Sequence, residues 1–522
     1  MANKLVFTHG ANFTAKFGAT EKQNLEVRLN QLVAFDAQRG ITTKFVFVDD
    51  PASVGRFGVA SANVATPQAI KGVVDAIATK TPQDYFVAVG GHDIVPLFEY
   101  PNPVSGTTDK TVPSDNGYAS SSANPLPLVP DRSFGRLPTS NDSTPDLLWK
   151  QFDEILSFKS AAANVGGYAI YADYWSQTSQ NIAKQLGIPG PLQSLSPPID
   201  VQPNPRSFPA AGLSGGRVHY FNLHGDLRNS PWYGQDGNNL NSYPEACLPA
   251  LIPAGVRHSV AACEACYGGD SYGTKTVRRT VNTANCLSYL NQQAIGFCGS
   301  TTIAYGGTND TPEPWAADLL VLYFLQSVRA GKAMGAALRD AKLQVGQDAM
   351  RKNSAYDDLT KKTLLQFLLY GDPSIPPIQS ASGAKSVKAS GEAEPLQELI
   401  VPLQDAQPEV VVSQPFAAPA GGKGLADSVP RLPGKLAGGP QRLVHSERRQ
   451  LSWARPGQVR ALQVLGAKGI ASKAVSPEER KAEWLAETYE IGIISNEMAR
   501  YFVRILETTG GGFRVVAQGV SR

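Results

Sequence analysis

Predicted strands alternate with predicted helices over the first three quarters of the chain, and this pattern restricts the fold more than any other feature. The apolar run in KLVFTHG precedes an amphipathic segment, EKQNLEVRLNQLVAFDAQRG. TKFVFVDD and TPQAIKGVVDAIATK repeat the pattern, and DYFVAVGGHDIVP is predicted to be a third strand. Strands that alternate with helices favour a mostly parallel sheet whose faces those helices cover. We therefore predict an α/β fold.

A second series of strands and helices begins near residue 141 and predicts two similar halves. Its strands are expected in GGYAIYADYW, RVHYFNLHG, RHSVAACEAC and QAIGFCGST, and its last helix around TKKTLLQFLLYGDPSIPP. We assign residues 1–140 to the N-terminal half and residues 141–380 to a catalytic half, in which reactive side chains follow two of the strands. Residues 101–140 are rich in Pro, Ser, Asn and Gly, which predicts a long loop region of functional interest.

The composition changes beyond residue 380. Residues 381–440 are rich in Ala, Gly, Pro, Ser and Lys without periodicity, which predicts a flexible linker. Periodicity returns over residues 441–522, where SPEERKAEWLAETYE and SNEMARYFVRILETT are predicted helices and GFRVVAQGV is a predicted strand. We expect a small C-terminal α/β module, for which the sequence indicates no role.

The composition argues against several classes of partner. With 48 Lys and Arg against 45 Asp and Glu, the net charge of +3 is too small to favour nucleic acid or a membrane surface. No stretch approaches the ~20 apolar residues that span a bilayer, and MANKLVFTHGANF lacks the apolar core of a signal peptide. The 5 cysteines are an odd number scattered through a large chain, which is typical of reduced thiols. We therefore expect a cytoplasmic protein.

A histidine and a cysteine follow two successive strands of the second half. RVHYFNLHGD ends with His224 and Gly225, and HSVAACEACYGG contains Cys266 followed by Gly268 and Gly269. The carboxyl ends of neighbouring parallel strands face one crevice, so both reactive side chains are expected there. A cysteine nucleophile needs a base, which imidazole provides, and backbone N–H groups must meet the oxyanion. The three glycines are expected to form oxyanion and substrate-binding surface, because glycine lets the backbone approach a carbonyl closely.

At these residues the sequence resembles the cysteine peptidases of the caspase, legumain and gingipain clan, and most closely the gingipain-type peptidases. The His-Gly and Ala-Cys-x-x-Gly runs of that clan read here as Leu223-His224-Gly225 and Ala265-Cys266-Tyr267-Gly268-Gly269. The resemblance covers residues 80–378. Other matching segments are DYFVAVGGHDIVP, SDNGYAS, PDRSFGRLP, HYFNLHG with the later Trp232, GFCGSTTIAYGG and LYGDPSIPP.

The resemblance implies a caspase-hemoglobinase-like fold and a cysteine endopeptidase that needs neither a cofactor nor a metal. It implies Cys266 as the nucleophile, His224 as general base and acid, and the N–H groups of Gly225 and Cys266 as the oxyanion hole. It also implies that Trp232 lies in the substrate-binding region. Gingipain-like enzymes use an Asp in the SD-x-x-Y segment to bind a basic P1 side chain, and Asp115 stands at that place.

Cleavage after Arg or Lys is therefore expected, with Asp or Asn at P1 as the alternative. For Asp115 itself, an ordinary turn role in Ser-Asp-Asn-Gly is a second interpretation. The chain shows no signal sequence, propeptide or immunoglobulin-like domain of secreted gingipains, so we expect a regulated peptidase that is held inactive until needed. Protein or peptide substrates and a regulatory activator protein are the candidate partners. If P1 is basic, YGTKTVRRTVNT and residues 423–449 are candidate self-cleavage segments.

Two further functions remain as alternatives. The chain could be an inactive member of the fold that binds a partner through its C-terminal module. Cys263 and Cys266 also form a CxxC pair, which leaves a redox or zinc role, or Cys263 as the nucleophile. The other cysteines, three of the histidines and the GDP aspartate are expected to be structural: Cys247, Cys286, Cys298, His9, His92, His219 and Asp372.

Overall fold

The computed structural model describes most of residues 2–380 and five strands beyond them. The described ranges are 2–188 without 63, 122–126 and 164; 194–195; and 216–380 without 229, 238–239, 242, 275–276, 308–312 and 354. In chain order the strands are β1 (Ala2–Thr8), β2 (Ile41–Phe47), β3 (Tyr85–Val89), β4 (Phe98–Pro101), β5 (Thr111–Ser114), β6 (Ser133–Leu137), β7 (Gly166–Tyr171), β8 (Ser194–Leu195), β9 (Gly216–Asn222), β10 (Trp232–Tyr233), β11 (Glu245–Cys247), β12 (Val260–Cys263), β13 (Gly296–Ser300), β14 (Phe367–Gly371), β15 (Val411–Val412), β16 (Ala471–Ala474), β17 (Leu485–Ile494), β18 (Arg500–Thr508) and β19 (Phe513–Ser521).

The described helices come from the first 366 residues, and none of them is long and apolar enough to cross a membrane. They are α1 (Gly10–Phe17), α2 (Ala19–Gln38), α3 (Pro51–Gly55), α4 (Pro67–Lys80), α5 (Asn116–Ala119), α6 (Asp146–Ser157), α7 (Ser176–Gln185), α8 (Asn285–Asn291), α9 (Ala317–Arg329), α10 (Met334–Asn353) and α11 (Asp358–Gln366). Short 3-10 helices lie at Asp173–Trp175, Pro249–Leu251 and Ala254–Val256.

Ten strands form one sheet in the order β2-β1-β3-β6-β14-β13-β12-β9-β7-β8. Every neighbouring pair in it is parallel except β13 and β14, which are antiparallel. Helices flank this sheet, so the prediction of an α/β fold with a mostly parallel sheet is confirmed. The sheet runs through both of the expected halves, because β14 lies between β6 of the first half and β13 of the second.

Helix α4 shows how the sequence sets the local structure. The side chain of Thr66 accepts a hydrogen bond from the Ala69 N–H at 3.2 Å and caps the helix, and Pro67 occupies the first turn. The buried residues recur with helical spacing, so one face packs into the core: Ile70, Val73, Val74 and Ile77.

A buried ion network fastens the first strand to the GDP segment. Lys4, on β1, is fully buried, and its ammonium pairs with Asp36 and, at 2.6 Å, with Asp372. Asp372 also accepts hydrogen bonds from the N–H and hydroxyl of Ser374. The Lys4 ammonium lowers the pKa of Asp372 against the opposing effect of burial. The loop-bracing role predicted for Asp372 is therefore confirmed.

Two predictions for the first 380 residues were wrong. The segment predicted as a final helix contains α11 and then β14, whose five residues are all buried. Periodicity cannot decide whether a short apolar run forms a helix or a strand. Here the run forms a strand because it pairs with β6 and β13. Residues 101–140 were predicted to be loop, but they contain the strands β5 and β6, of which β6 belongs to the large sheet.

The described residues beyond 380 form a five-stranded antiparallel sheet in the order β15-β19-β18-β17-β16. The strand predicted in GFRVVAQGV is confirmed by β19. The two predicted helices were wrong, since β17 overlaps the first and β18 most of the second. In its described residues the module is therefore β, not α/β. The predicted linker at 381–440 lies outside the described residues, apart from β15.

Candidate active site

The edge of the sheet after β9 and β12 brings the two predicted reactive residues to one place. These strands are adjacent and parallel, with Cys263 opposite Phe221. The Glu264 N–H donates to the Phe221 carbonyl at 2.9 Å, so the pairing continues beyond the end of β12. His224 comes two residues after β9, and Cys266 comes three residues after β12. The shared edge predicted for them is confirmed.

Gly225, the residue after His224, lies against the backbone of Cys266. A Cβ atom built on Gly225 would lie 1.8 Å from the Cys266 carbonyl oxygen and 3.1 Å from its nitrogen. No side chain fits in that space, which explains a glycine at this position. The Gly225 backbone also acts on the Cys266 thiol and lowers its pKa. The His-Gly segment and the cysteine are therefore in direct contact.

The imidazole of His224 is oriented by the amide of Gln235. The His224 Nε2 and the Gln235 Oε1 are 2.9 Å apart. The amide NH₂ of Gln235 donates to the Leu240 carbonyl and the Tyr243 hydroxyl, so its oxygen faces the ring. Nε2 therefore carries the proton in neutral His224, and Nδ1 carries the lone pair that a general base requires.

Aromatic side chains and a backbone bridge hold His224 in place. The ring centroids of His224 and Trp175 are 4.3 Å apart, and Tyr243 makes an edge contact at 5.1 Å. The His224 N–H donates to the Tyr233 carbonyl at 2.8 Å, and the Tyr233 N–H donates back at 2.9 Å. A ring packed in this way loses little conformational freedom when a substrate binds.

Cys266 lies in a turn with a strained backbone. Tyr267, which follows it, has a φ of 56°, a left-handed conformation that is costly for a bulky residue. The Tyr267 N–H donates to the Thr302 carbonyl at 3.0 Å, and its hydroxyl donates to Asp109 at 2.6 Å. These two bonds hold the turn in the conformation that presents the half-buried Cys266.

Opposing effects act on the pKa of the Cys266 thiol. Burial is the largest effect and raises this pKa above its ordinary value, and the carboxylate of Asp109 acts in the same direction. The backbone of Ala304, the ammonium of Lys362 and the backbone of Gly225 lower it, but they do not offset burial. Because the site contains groups that favour the thiolate, ionisation of Cys266 depends on keeping those groups in place.

The structure gives Asp115 a different role from the predicted P1 recognition. Its carboxylate accepts two hydrogen bonds from the guanidinium of Arg136, at 3.0 and 2.5 Å, and both side chains are buried. Arg136 also donates to the carbonyls of Gly90 and Val95. A carboxylate already paired in this way is not available to a substrate cation, so the pocket role was wrong. The turn-capping interpretation was also wrong, because Asp115 makes no side-chain cap bond to its helix.

Trp232 and the glycines after Cys266 are structural residues. Trp232 is only 4% exposed and packs on Phe221 and Phe297 in the core, where it anchors the strand that pairs with His224. The Gly268 N–H donates to the Ala265 carbonyl and the Gly269 N–H to the Ser300 carbonyl. A Cβ on Gly269 would lie 2.4 Å from the Gly299 carbonyl oxygen. The predicted substrate contacts of these three residues were therefore wrong.

Cys263 is a core residue. It is fully buried, and its sulfur accepts a hydrogen bond from the Ala265 N–H at 3.3 Å. Burial raises the pKa of its thiol well above the ordinary value, and unlike the partly exposed Cys266 it is not accessible to a substrate. All 5 cysteines are free thiols, and those other than Cys266 are buried. Among the described residues, no group of three or more His, Cys, Asp or Glu could hold a metal ion.

The other histidines expected to be structural have the predicted kinds of contact. His9 caps α1 by accepting a bond from the Asn12 N–H, and His92 accepts one from the Leu97 N–H. His219 is fully buried against Tyr289, and burial lowers its pKa to about 4.

Sequence reasoning missed Gln235, Trp175, Asp109 and Lys362. Trp175, Asp109 and Lys362 lie far from His224 and Cys266 along the chain, and none of the four belongs to a motif that we recognised. The one local signal was Gln235, which follows Trp232 by three residues in the segment after His-Gly. Comparison with known proteins adds no assignment, because no family model matches the chain and no curated protein matches its sequence.

Proposed function

We propose that the protein is a cysteine endopeptidase in which Cys266 is the nucleophile and His224 is the general base and acid. The observation that carries the proposal is the close contact of Gly225 with the backbone of Cys266. This contact supports the proposal because it joins the residue after the base to the nucleophile. The orientation of His224 by Gln235 gives further support, since it leaves Nδ1 as the ring nitrogen that accepts a proton, as a general base requires.

In the proposed reaction, Nδ1 of His224 takes the proton of the Cys266 thiol, and the sulfur attacks the carbonyl carbon of a peptide bond. The N–H groups of Gly225 and Cys266 stabilise the oxyanion. The C–N bond breaks as His224 gives its proton to the leaving amine. Water, deprotonated by His224, then hydrolyses the thioester, which releases the acid and restores the thiol.

The substrate class is part of the proposal and rests on the resemblance to gingipain-type peptidases. We propose a protein or peptide cleaved after Arg or Lys, with Asp or Asn at P1 as the alternative. Because Asp115 is paired with Arg136, its carboxylate no longer supports a preference for Arg or Lys at P1. We also propose a cytoplasmic location and a regulated activity that depends on an activator protein. The free thiols of all 5 cysteines support the location.

Self-cleavage in YGTKTVRRTVNT belongs to the same proposal, but its two arginines differ. Arg279 is buried, pairs with Asp270, and donates to the carbonyls of Asp226 and Leu227. Arg278 is exposed and is the better candidate for P1. Lys275 and residues 423–449 lie outside the described residues.

The test is active-site labelling with four acyloxymethyl ketone peptides that differ only in P1, which is Arg, Lys, Asp or Asn. Mass spectrometry should find one adduct, on Cys266, and a peptide library should be cleaved with the same P1 preference. Cys266→Ala should lose both the adduct and cleavage, while Cys263→Ala should keep both. Cleavage by Cys266→Ala at the wild-type rate would falsify the proposal. A folded protein that none of the four probes labels would favour the inactive, partner-binding alternative.

A further inference from the structure

Asp109 accepts hydrogen bonds from three segments around the nucleophile. Its Oδ1 accepts from the Tyr267 hydroxyl at 2.6 Å. Its Oδ2 accepts from the Ile303 N–H at 3.1 Å and from the ammonium of Lys362 at 2.9 Å. Tyr267 directly follows Cys266 in the strained turn. One carboxylate therefore joins that turn, the loop after β13 and helix α11.

The ammonium of Lys362 contacts residues that adjoin the Cys266 turn. Its side chain is fully buried, and its Nζ is 5.2 Å from the centroid of the Tyr305 ring. Tyr305 follows Ala304, whose carbonyl oxygen is 3.8 Å from the Cys266 sulfur. A buried ammonium needs a partner, and Asp109 provides it. In a medium less polar than water, a cation close to a thiol favours the thiolate, and Lys362 acts on Cys266 in that direction.

We propose that Lys362 is a second cation, besides protonated His224, that stabilises the Cys266 thiolate, and that Asp109 positions both Lys362 and the Tyr267 turn. The inference rests on the proposed role of Cys266 as nucleophile and adds a positioning pair to it. The positive charge of Lys362 favours the Cys266 thiolate, and the negative charge of Asp109 disfavours it. Removing the lysine should therefore disfavour the thiolate, whereas removing the carboxylate should loosen the turn without disfavouring the thiolate electrostatically.

The first test measures ionisation of Cys266 without requiring peptidase activity. The rate of Cys266 alkylation by iodoacetamide is followed across pH 5–10 by mass spectrometry of the Cys266 peptide. Lys362→Met should move the midpoint upward by about one pH unit, which reduces alkylation at neutral pH about tenfold. Lys362→Arg keeps the charge and should keep the wild-type midpoint. Lys361→Met, one residue away on the same helix, is the matched control and should leave the midpoint unchanged.

Lys362→Met leaves the buried carboxylate of Asp109 without its ammonium partner, which destabilises the fold. A second variant therefore removes both charges. The double variant Asp109→Asn/Lys362→Met has no unpaired charge, and its midpoint should lie above that of Asp109→Asn alone, because the two variants differ only in the ammonium of Lys362. A wild-type midpoint in folded Lys362→Met, or equal midpoints in the double variant and Asp109→Asn, overturns the role of Lys362. A raised midpoint in a protein that cleaves no peptide would refute the proposed function but leave the electrostatic inference standing.

The second test concerns positioning by Asp109. Asp109→Asn should reduce kcat at least about tenfold with little change in KM, because the turn and Lys362 lose their common anchor. Its alkylation midpoint should not rise above that of wild type, which separates this effect from a loss of thiolate. Asp84→Asn, at a surface carboxylate that binds Asn3, is the control and should leave kcat unchanged. A wild-type kcat for Asp109→Asn overturns the positioning role.

Discussion

Replacing Gly225 with Ala should separate the base from the nucleophile. The new Cβ would lie 1.8 Å from the carbonyl oxygen and 2.9 Å from the carbonyl carbon of Cys266, whereas real Cβ contacts are essentially never under 3.0 Å. Both clashing atoms belong to the main chain, so no rotamer change relieves the contact. The His224 segment and the Cys266 turn must move apart by at least about 1 Å, and a displacement of that size costs about a hundredfold in rate.

We expect kcat/KM of Gly225→Ala on the preferred peptide to fall at least about a hundredfold, and its free energy of unfolding to fall by about 1–3 kcal/mol. Iodoacetamide should still reach Cys266, but the midpoint of its pH dependence should rise, because the effect of the Gly225 backbone that lowers the thiol pKa is lost. The control is Gly72→Ala in α4, where a Cβ meets no atom within 4 Å. It should keep wild-type activity and gain about 0.5–1 kcal/mol of stability. Wild-type kcat/KM in Gly225→Ala would refute the argument from the contact.

Three other perturbations test separate parts of the structure. Gln235→Leu should lower kcat about tenfold or more by releasing the ring of His224, with KM nearly unchanged in steady-state kinetics. Asp115→Asn should cost about 3–5 kcal/mol in urea unfolding, because it leaves buried Arg136 unpaired, and it should not change P1 preference. Burial lowers the pKa of His219 to about 4 in the folded protein, so as the pH falls the unfolded chain takes up a proton at this residue before the folded chain does. Stability should therefore fall by up to about 3 kcal/mol as pH drops from 6.5 to 4, and His219→Gln should flatten that slope in urea titrations.

The part of the site that sequence could predict is the part set by neighbouring strands. The apolar runs of β9 and β12 identify two buried strands, and parallel pairing brings their carboxyl ends to one edge. His224 and Cys266 follow those ends, so their common location needed no further information. Gly225 was expected to face a substrate carbonyl, and it also makes the contact with the Cys266 backbone.

The contacts that tune the site could not be predicted, because they depend on how distant segments pack. Asp109 and Lys362 are far apart along the chain, and no periodicity connects them. Asp115 and Arg136 both lie in segments that resemble gingipain-type motifs, but a motif match does not say which charged groups pair with each other. The sequence therefore identified a carboxylate of interest but not its partner, Arg136.

The failed helix predictions have a different cause. In β18, Tyr501, Phe502, Val503 and Ile505 are aromatic or β-branched, a composition that favours strands, yet their spacing also fits one face of a helix. The choice is made by pairing with β17 and β19 on either side. Local pattern alone leaves such a segment ambiguous, since the stabilising hydrogen bonds come from other parts of the chain.

The position of β14 has a consequence for biosynthesis. It is the last strand of the large sheet to leave the ribosome, yet it lies at the centre of that sheet, between β6 and β13. Until Phe367–Gly371 emerges, β13 presents an unsatisfied row of amides and carbonyls along its five residues, which is a template for association with other nascent chains. A polypeptide that stops before residue 367 should therefore accumulate as aggregate, and the centre of the large sheet closes only when these five residues arrive.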